Sequence, residues 1–403
     1  MKGAYIVKAY NNIYEFCNDD EVYDLLKTKY FKDYYDPIAA IRDGSKDGII
    51  DLLFSFGSRN FGKSWDVLIL MTAFYIVSGK PFAYVRRWND DLVANGPNLF
   101  TKMSTRGIIR DLCLDFGGDD AFIYDSVVYY RRAWYLAVED ENGKTLKDDK
   151  PLGIAFSINS QQRYKSGGYD EFSVIMFDEA ISENGYCNNE FRSLLNLCVT
   201  LTRDSEVLII LVGNTVDLFC PYFVEMGFNN VEKMLPGELW TTTLYGDDNN
   251  KFREAIEYAE AKVKRKTDKF SAFGNKTAKM ISKGEWEFDI YPHLPVKYSK
   301  DDIIYSYYVM NKNKCLKCDI VLKDELTFTF VYEWGTTEDY KPLYRNDNEI
   351  IFTREPRPEY YIRNSFYRAK DKVGRSILSY IEDNNIYYDN NFVGAIYNDF
   401  KTA

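Results

Sequence analysis

The chain has 403 residues, which at roughly 150 residues per domain predicts two or three domains rather than one compact unit. Hydrophobic residues make up 46% and charged residues 28%, which excludes a disordered, collagenous or low-complexity protein. A net charge of −10 argues against a passive nucleic-acid coat, though not against an enzyme that touches DNA through local patches.

Residues 1–48 mix short amphipathic segments with acidic turns. Ile49 to Phe56 reads as a strand, followed by a glycine-containing loop and an apolar helix from Ser64 to Ser78. A second strand, Pro81 to Val85, ends in Arg86-Arg87-Trp88. Residues 122–138 alternate as a hairpin does, and Gly153 to Ile158 is a short strand. Phe172 to Phe177 is an apolar strand ending in Asp178-Glu179. The leucine-rich helix Glu190 to Leu201 precedes the strand Val207 to Val212, which ends at Gly213-Asn214-Thr215. Continuous apolar strands alternating with helices predict a mainly parallel sheet covered on both faces. Beyond residue 225 the expectation is a charged helix, Lys251 to Lys266. Antiparallel strands follow at Ile303–Met310, Lys317–Leu322, Leu326–Trp334 and Ile350–Thr353, then helices at Lys372–Glu382 and Asn391–Phe400. This predicts an α/β domain over 1–225, a basic helical connecting element over 226–285 and a small α+β domain over 286–403.

No apolar run reaches the ~18–20 residues of a membrane span, and no signal-peptide core follows the first residues. Seven scattered cysteines fit reduced thiols, so the chain reads as soluble and intracellular. Cys315-Leu316-Lys317-Cys318 lacks the second ligand pair of a structural zinc site. The single histidine, His293, argues against a Ser-His-Asp triad and reads as structural.

Gly57-Ser58-Arg59-Asn60-Phe61-Gly62-Lys63-Ser64 matches G-x-x-x-x-G-K-[ST] at every fixed position, with a strand before it and a helix after it. Loop N–H groups and the positive end of the helix dipole are expected to cradle the phosphates of ATP. Lys63 is expected to reach the β- and γ-phosphates and Ser64 to hold Mg²⁺. Asp178, at a strand's carboxyl end, would support the metal, and Glu179 would orient or deprotonate the attacking water. Two adjacent acids and the lack of an N-K-x-D sequence point to ATP rather than GTP. Asn214 ends the next buried strand, where an amide can contact the γ-phosphate or its water. Arg59 is either a phosphate contact or a loop-stabilising residue. Arg86 and Arg87 face phosphate, DNA or acidic neighbours, and the sequence leaves the choice open.

The stretches Phe56 to Ser64, Phe82 to Trp88, Ser173 to Glu179, Leu194 to Leu197 with Thr202-Arg203, and Gly213 to Thr215 with Pro221 to Phe223 resemble the DNA-packaging ATPases of phi29-like tailed phages, relatives of the large terminase motor. The likeness is specific over the first 225 residues and looser over 265–403. It implies a P-loop ATPase of the additional-strand (ASCE) class followed by a degenerate ribonuclease-H-like nuclease domain. It also implies a homo-oligomeric ring, a pentamer, at the portal vertex of an empty capsid in the infected host's cytoplasm, driving double-stranded DNA inward. Arg203 looks like the arginine finger acting on the neighbouring subunit's ATP, against a solvated surface arginine beside Asp204. Lys165 takes an interface or pore position, or stays in a solvated loop. A basic cluster that includes Lys262, Lys264, Arg265, Lys266 and Lys269 suits sequence-independent grip on phosphates. A smaller one, Arg363, Arg368, Lys370, Lys372 and Arg375, suits DNA, the portal or, as in some members, a structural RNA. Asp319, Glu333 and Asp389 are candidate nuclease acids but assemble no convincing set. The alternatives are a full terminase with an active metal-dependent nuclease, or another DNA-dependent ATPase such as a helicase.

Overall fold

The computed structural model describes residues 8–402 apart from 60, 119–121, 165–171, 183–185, 188, 203–205, 216–219, 229–230, 247–249, 261–290, 295, 312–313, 324–325, 337–349, 354–374, 378 and 380–385. It divides into two units, Met1–Trp286 and Glu287–Ala403. The strands of the first are β1 (Leu52–Gly57), β2 (Phe82–Arg86), β3 (Ser126–Tyr130), β4 (Ala133–Glu139), β5 (Thr145–Lys147), β6 (Gly153–Ser157), β7 (Val174–Asp178), β8 (Leu208–Asn214), β9 (Leu239–Tyr245) and β10 (Lys251–Tyr258). Its helices are α1 (Ile13–Asn18), α2 (Asp20–Lys29), α3 (Pro37–Gly44), α4 (Lys63–Ser78), α5 (Asn89–Asn95), α6 (Thr101–Thr105), α7 (Ile108–Phe116), α8 (Glu190–Thr202) and α9 (Pro221–Glu225).

The ten strands form one sheet in the order β3-β4-β6-β2-β7-β8-β1-β10-β9, with β5 beside β4. The six from β6 to β10 run parallel, and antiparallel strands finish both edges. Of these, β1, β7 and β8 are buried on both faces, which is why they read as unbroken apolar runs. In β1, Leu53 faces one core with Val67, Leu70 and Phe74 of α4, while Leu52, Phe54 and Phe56 face the other with Phe177, Leu194 and Tyr222. Helix α4 is apolar nearly all round, and Val67 to Tyr75 are all buried, as a helix inside a large α/β layer should be.

In the first unit one expected element is overturned. Lys251 to Tyr258 is not the start of a charged helix but strand β10, paired parallel to β1 and antiparallel to β9. The first sheet therefore continues past residue 225 through β9 and β10. The basic cluster at 262–283 lies outside the described residues, as does most of the expected helix Lys372–Glu382.

In the second unit β11 (Ile303–Asn311), β12 (Lys314–Lys323) and β13 (Leu326–Thr336) form an antiparallel meander. Strand β14 (Ile350–Thr353), expected as an antiparallel strand, instead runs parallel to β11, and β15 (Ile386–Tyr388) runs parallel to β13. The helix Asn391–Thr402 covers this sheet, with the Tyr397 and Tyr307 hydroxyls 2.7 Å apart. Gly394 is needed there, because a Cβ would sit 2.3 Å from the Tyr291 ring. Cys315 and Cys318 are three apart on one strand and so point to opposite faces, which rules out their sharing one ion. His293 bridges to Tyr388 with its Nδ1 3.3 Å from the Tyr388 carbonyl oxygen. No helix among the described residues is long and apolar enough to cross a membrane.

Candidate nucleotide site

The phosphate loop leaves β1 at the carboxyl end of the parallel strands and turns into α4. Gly57 fills a gap that no side chain fits, since a Cβ would lie 2.6 Å from the Ala259 carbonyl oxygen beyond β10. Gly62 precedes the helix in the left-handed region (φ +79°), where a Cβ would meet Tyr34 and Asp66 at 2.9 Å. Among the described residues no side chain caps the start of α4. The positive end of the α4 dipole points into this loop, which favours an anion there.

Lys63 is 4% exposed, and its ammonium donates to the carbonyl oxygens of Ser58 (2.9 Å) and Gly57 (3.3 Å). The Ser64 hydroxyl donates to Asp178 Oδ1 at 2.7 Å. Two oxygens of this kind, a hydroxyl and a carboxylate, suit a hard divalent cation. The Tyr84 hydroxyl donates to Asp178 Oδ2 at 2.8 Å. Arg86 reaches the same oxygen at 3.4 Å, and its other nitrogen holds the Glu179 carboxylate at 2.5 Å. Burial, then the Asp178 charge, lifts the Tyr84 phenol well above its ordinary pKa, so it stays a donor. Burial opposes the charge of Arg86, but Tyr84, Asp178 and Glu179 outweigh it and raise its pKa above the ordinary value. Glu179 has a left-handed backbone, φ +59°, and its side chain is 58% exposed. Asn214 stands in register with Gly57 on the neighbouring strand, so it shares this end of the sheet.

The loop, Ser64, Asp178, Glu179 and Asn214 are therefore gathered at one place by strand ends of the same sheet. Strand β8 lies between β1 and β7, which separates the loop strand from the acid strand by one additional strand. Arg59 is half-buried in the loop. Asn60, Lys165, Arg203, Lys262, Lys264, Arg265, Lys266 and Lys269 lie outside the described residues.

The chain is similar to known proteins in sequence and in fold. The model of the family "Podovirus DNA encapsidation protein (Gp16)" matches residues 136–328, a span that includes Asp178 and Glu179 and begins after the phosphate loop. The chain is 31% identical over 177 residues to the DNA packaging protein of Bacillus phage phi29, covering 43% of this chain and 45% of that protein. It is 29% identical over 180 residues to the DNA packaging protein of Bacillus phage B103, covering 44% and 48%. The chain resembles the phi29-like DNA packaging proteins. It spans about half the length of these curated relatives. Its fold also aligns with a chain of the bacteriophage phi29 viral genome packaging motor assembly, at a TM-score of 0.55 and 20% identity, over 91% of this chain and 98% of that one.

Of the open readings, Arg86 and Arg87 face acidic neighbours: Asp178, Glu179 and Asp91 for the first, Glu190 for the second. Several residues around the site carry no signal in the sequence. Tyr84 is legible only as a strand residue, although it sits two positions before Arg86 and so on the same strand face. Behind the loop, Tyr35 donates its N–H to Asp66 at 3.0 Å and its hydroxyl to the buried Glu257 at 2.7 Å, and Ser55 donates to the same Glu257 oxygen at 2.9 Å. Burial raises the Glu257 carboxyl above its ordinary pKa. Glu257 and Glu190 are single acids without a local pattern.

Proposed function

We propose that the chain is an ATP-hydrolysing motor that drives double-stranded viral DNA into a preformed capsid. It acts as a homo-oligomeric ring, a pentamer, at the portal vertex in the host cytoplasm. The observation that carries the ATPase reading is the 2.7 Å bond from Ser64, at the start of α4, to Asp178, one strand removed across β8. It joins a phosphate cradle to a metal-supporting acid, the pairing that phosphoryl transfer to water needs. The additional strand between β1 and β7 supports the ASCE class. The likeness to phage DNA packaging proteins supplies the substrate.

In this reading the loop N–H groups and the α4 dipole bind the phosphates, and Lys63 leaves its loop carbonyls to meet them. Ser64 and Asp178 would hold Mg²⁺, which neutralises charge on the transferring phosphoryl group when bound. Glu179 takes the proton of the attacking water, with its carboxylate oriented by Arg86 and Tyr84 holding Asp178. Asn214 sits where it can bind the γ-phosphate or that water. Arg203 is assigned as the finger for the neighbouring subunit. Lys165 and the basic stretch at 262–269 are assigned to duplex backbone, and the portal and a structural RNA are further partners.

The second unit is assigned as a degenerate ribonuclease-H-like domain. The antiparallel meander with a parallel strand beside its first member supports this. Asp319, one of the candidate acids, is already saturated: Ser306, Tyr298 and Tyr332 hydroxyls donate to it at 2.6–3.1 Å, and the Lys317 ammonium lies 3.4 Å away.

The test is ATP hydrolysis by the full chain with Mg²⁺ and duplex DNA. Wild type hydrolyses, and Lys63→Ala, folded to the same extent, does not. Equal hydrolysis by the two would sink the ATPase assignment. Cleavage of plasmid with Mg²⁺ or Mn²⁺ that disappears in Asp319→Ala would instead establish an active terminase nuclease.

A further inference from the structure

Arg87 is a charged residue at the site that neither the phosphate loop nor the metal-supporting acid uses. Its side chain is buried, as is that of Glu190. Its Nε and Nη2 grip both oxygens of Glu190, at 2.7 and 2.8 Å. Its Nη1 also donates to the Glu179 carbonyl oxygen at 3.0 Å, and its Nη2 to that of Ala180 at 2.8 Å. The rings of Tyr186 and Phe177 lie 4.9 and 5.5 Å from its guanidinium carbon. Glu190 is fixed in turn by the Tyr222 hydroxyl (2.6 Å) and the Cys187 N–H (2.7 Å).

The two carbonyls that Arg87 holds are those of Glu179 itself and of the next residue, directly after the strained backbone of Glu179. A left-handed φ is costly for a residue with a Cβ and persists only where the surroundings over-determine it. Two supports do so here: the Ala180 N–H bonds to Val212 of β8, and the Arg87 fork bonds to the carbonyls. A relaxed turn would swing the Glu179 carboxylate away from Asp178 and Ser64.

We propose that Arg87 is a positioning residue for hydrolysis. Its guanidinium clamps the Glu179–Ala180 turn so that the Glu179 carboxylate is presented beside Asp178, and Glu190 holds the guanidinium in place. The inference rests on the ATPase reading above. Through Glu190 the clamp also reaches α8, which ends one residue before Arg203.

The experiment uses the full chain and follows kcat, KM for ATP and the affinity for a non-hydrolysable ATP analogue. Three proteins are set against wild type: Arg87→Lys, Glu190→Gln, and the double variant Arg87→Met with Glu190→Gln. The double variant removes both charges together, because a lone buried partner destabilises the fold. It should lose kcat by about 100-fold, the effect of a misplacement near 1 Å. KM and analogue affinity should stay within about 2-fold, since the phosphate loop is untouched. Arg87→Lys keeps the charge but not the fork and should lose about 10-fold or more. Glu190→Gln keeps one oxygen for the guanidinium and should lose less than that. A double variant that binds the analogue and turns over within about 3-fold of Glu190→Gln would overturn the inference. If the double variant fails to fold, Arg87→Lys at the wild-type rate does the same. A wild type without hydrolysis would overturn the functional reading itself, and this inference with it.

Discussion

Ser64, Asp178 and Glu179 are each held by a partner that the sequence places far away. Ser64 meets Asp178, 114 positions on, and Arg86 meets Glu179, 93 positions on. Replacing Glu179 with Gln removes the proton acceptor and leaves the shape. Hydrolysis should fall by at least ~100-fold, while equilibrium binding of an ATP analogue is unchanged. A second expectation concerns Gly57. A Cβ there meets a backbone carbonyl at 2.6 Å, and a main-chain oxygen cannot swing aside as a side chain can. Gly57→Ala should lower stability by about 2–3 kcal/mol in denaturant titrations and weaken nucleotide binding with it.

At the scale of elements, the strands with continuous apolar runs were legible. Strands β1, β7 and β8 are buried on both faces, so their pattern carries the fold. Helix α4 was legible from its loop motif and apolar length. Strand β10 was not. Lys251 to Lys266 is rich in good helix formers, and its Glu and Lys spacing imitates a solvated helix. Pairing with β1 and β9 overrides that preference and buries Glu254 and Ala255 in the sheet. Which strand lies beside which cannot be read from one sequence, and so the contacts of Tyr84, Arg87 and Glu190 were invisible.

The buried acid of β10 also gives a pH prediction. Burial, with the Asp51 charge behind it, raises the Glu254 carboxyl from its ordinary value near 4.5 to about 8. Because the folded pKa lies above the unfolded one, its contribution is full below pH 4.5. It diminishes as the pH rises to about 8, and changes no further beyond that. Glu254→Gln has no such dependence. Unfolding midpoints of the two proteins should nearly coincide near pH 4.5 and separate as the pH rises, with the variant more stable by about 2 kcal/mol at pH 8. A constant gap across that window would contradict the assignment.

Taken whole, the molecule sets an acidic sheet domain against a strongly basic stretch at residues 262–283. That composition suits a motor that grips any duplex and must release it on every cycle, and a net −10 is compatible with it. Changing Lys262, Lys264, Arg265, Lys266 and Lys269 to Gln should weaken duplex binding without regard to sequence. The plot of log affinity against log salt should flatten by about 0.9 for each phosphate no longer neutralised. ATP hydrolysis without DNA should be little changed. Packaging itself is read by nuclease protection of duplex DNA. Genome-length duplex is mixed with the cognate empty capsids, ATP, Mg²⁺ and either the wild-type protein or Glu179→Gln, then exposed to nuclease. Full-length protected DNA is expected with wild type and ATP, and none with Glu179→Gln or without ATP. Vigorous DNA-stimulated hydrolysis by wild type with no protected DNA would contradict it.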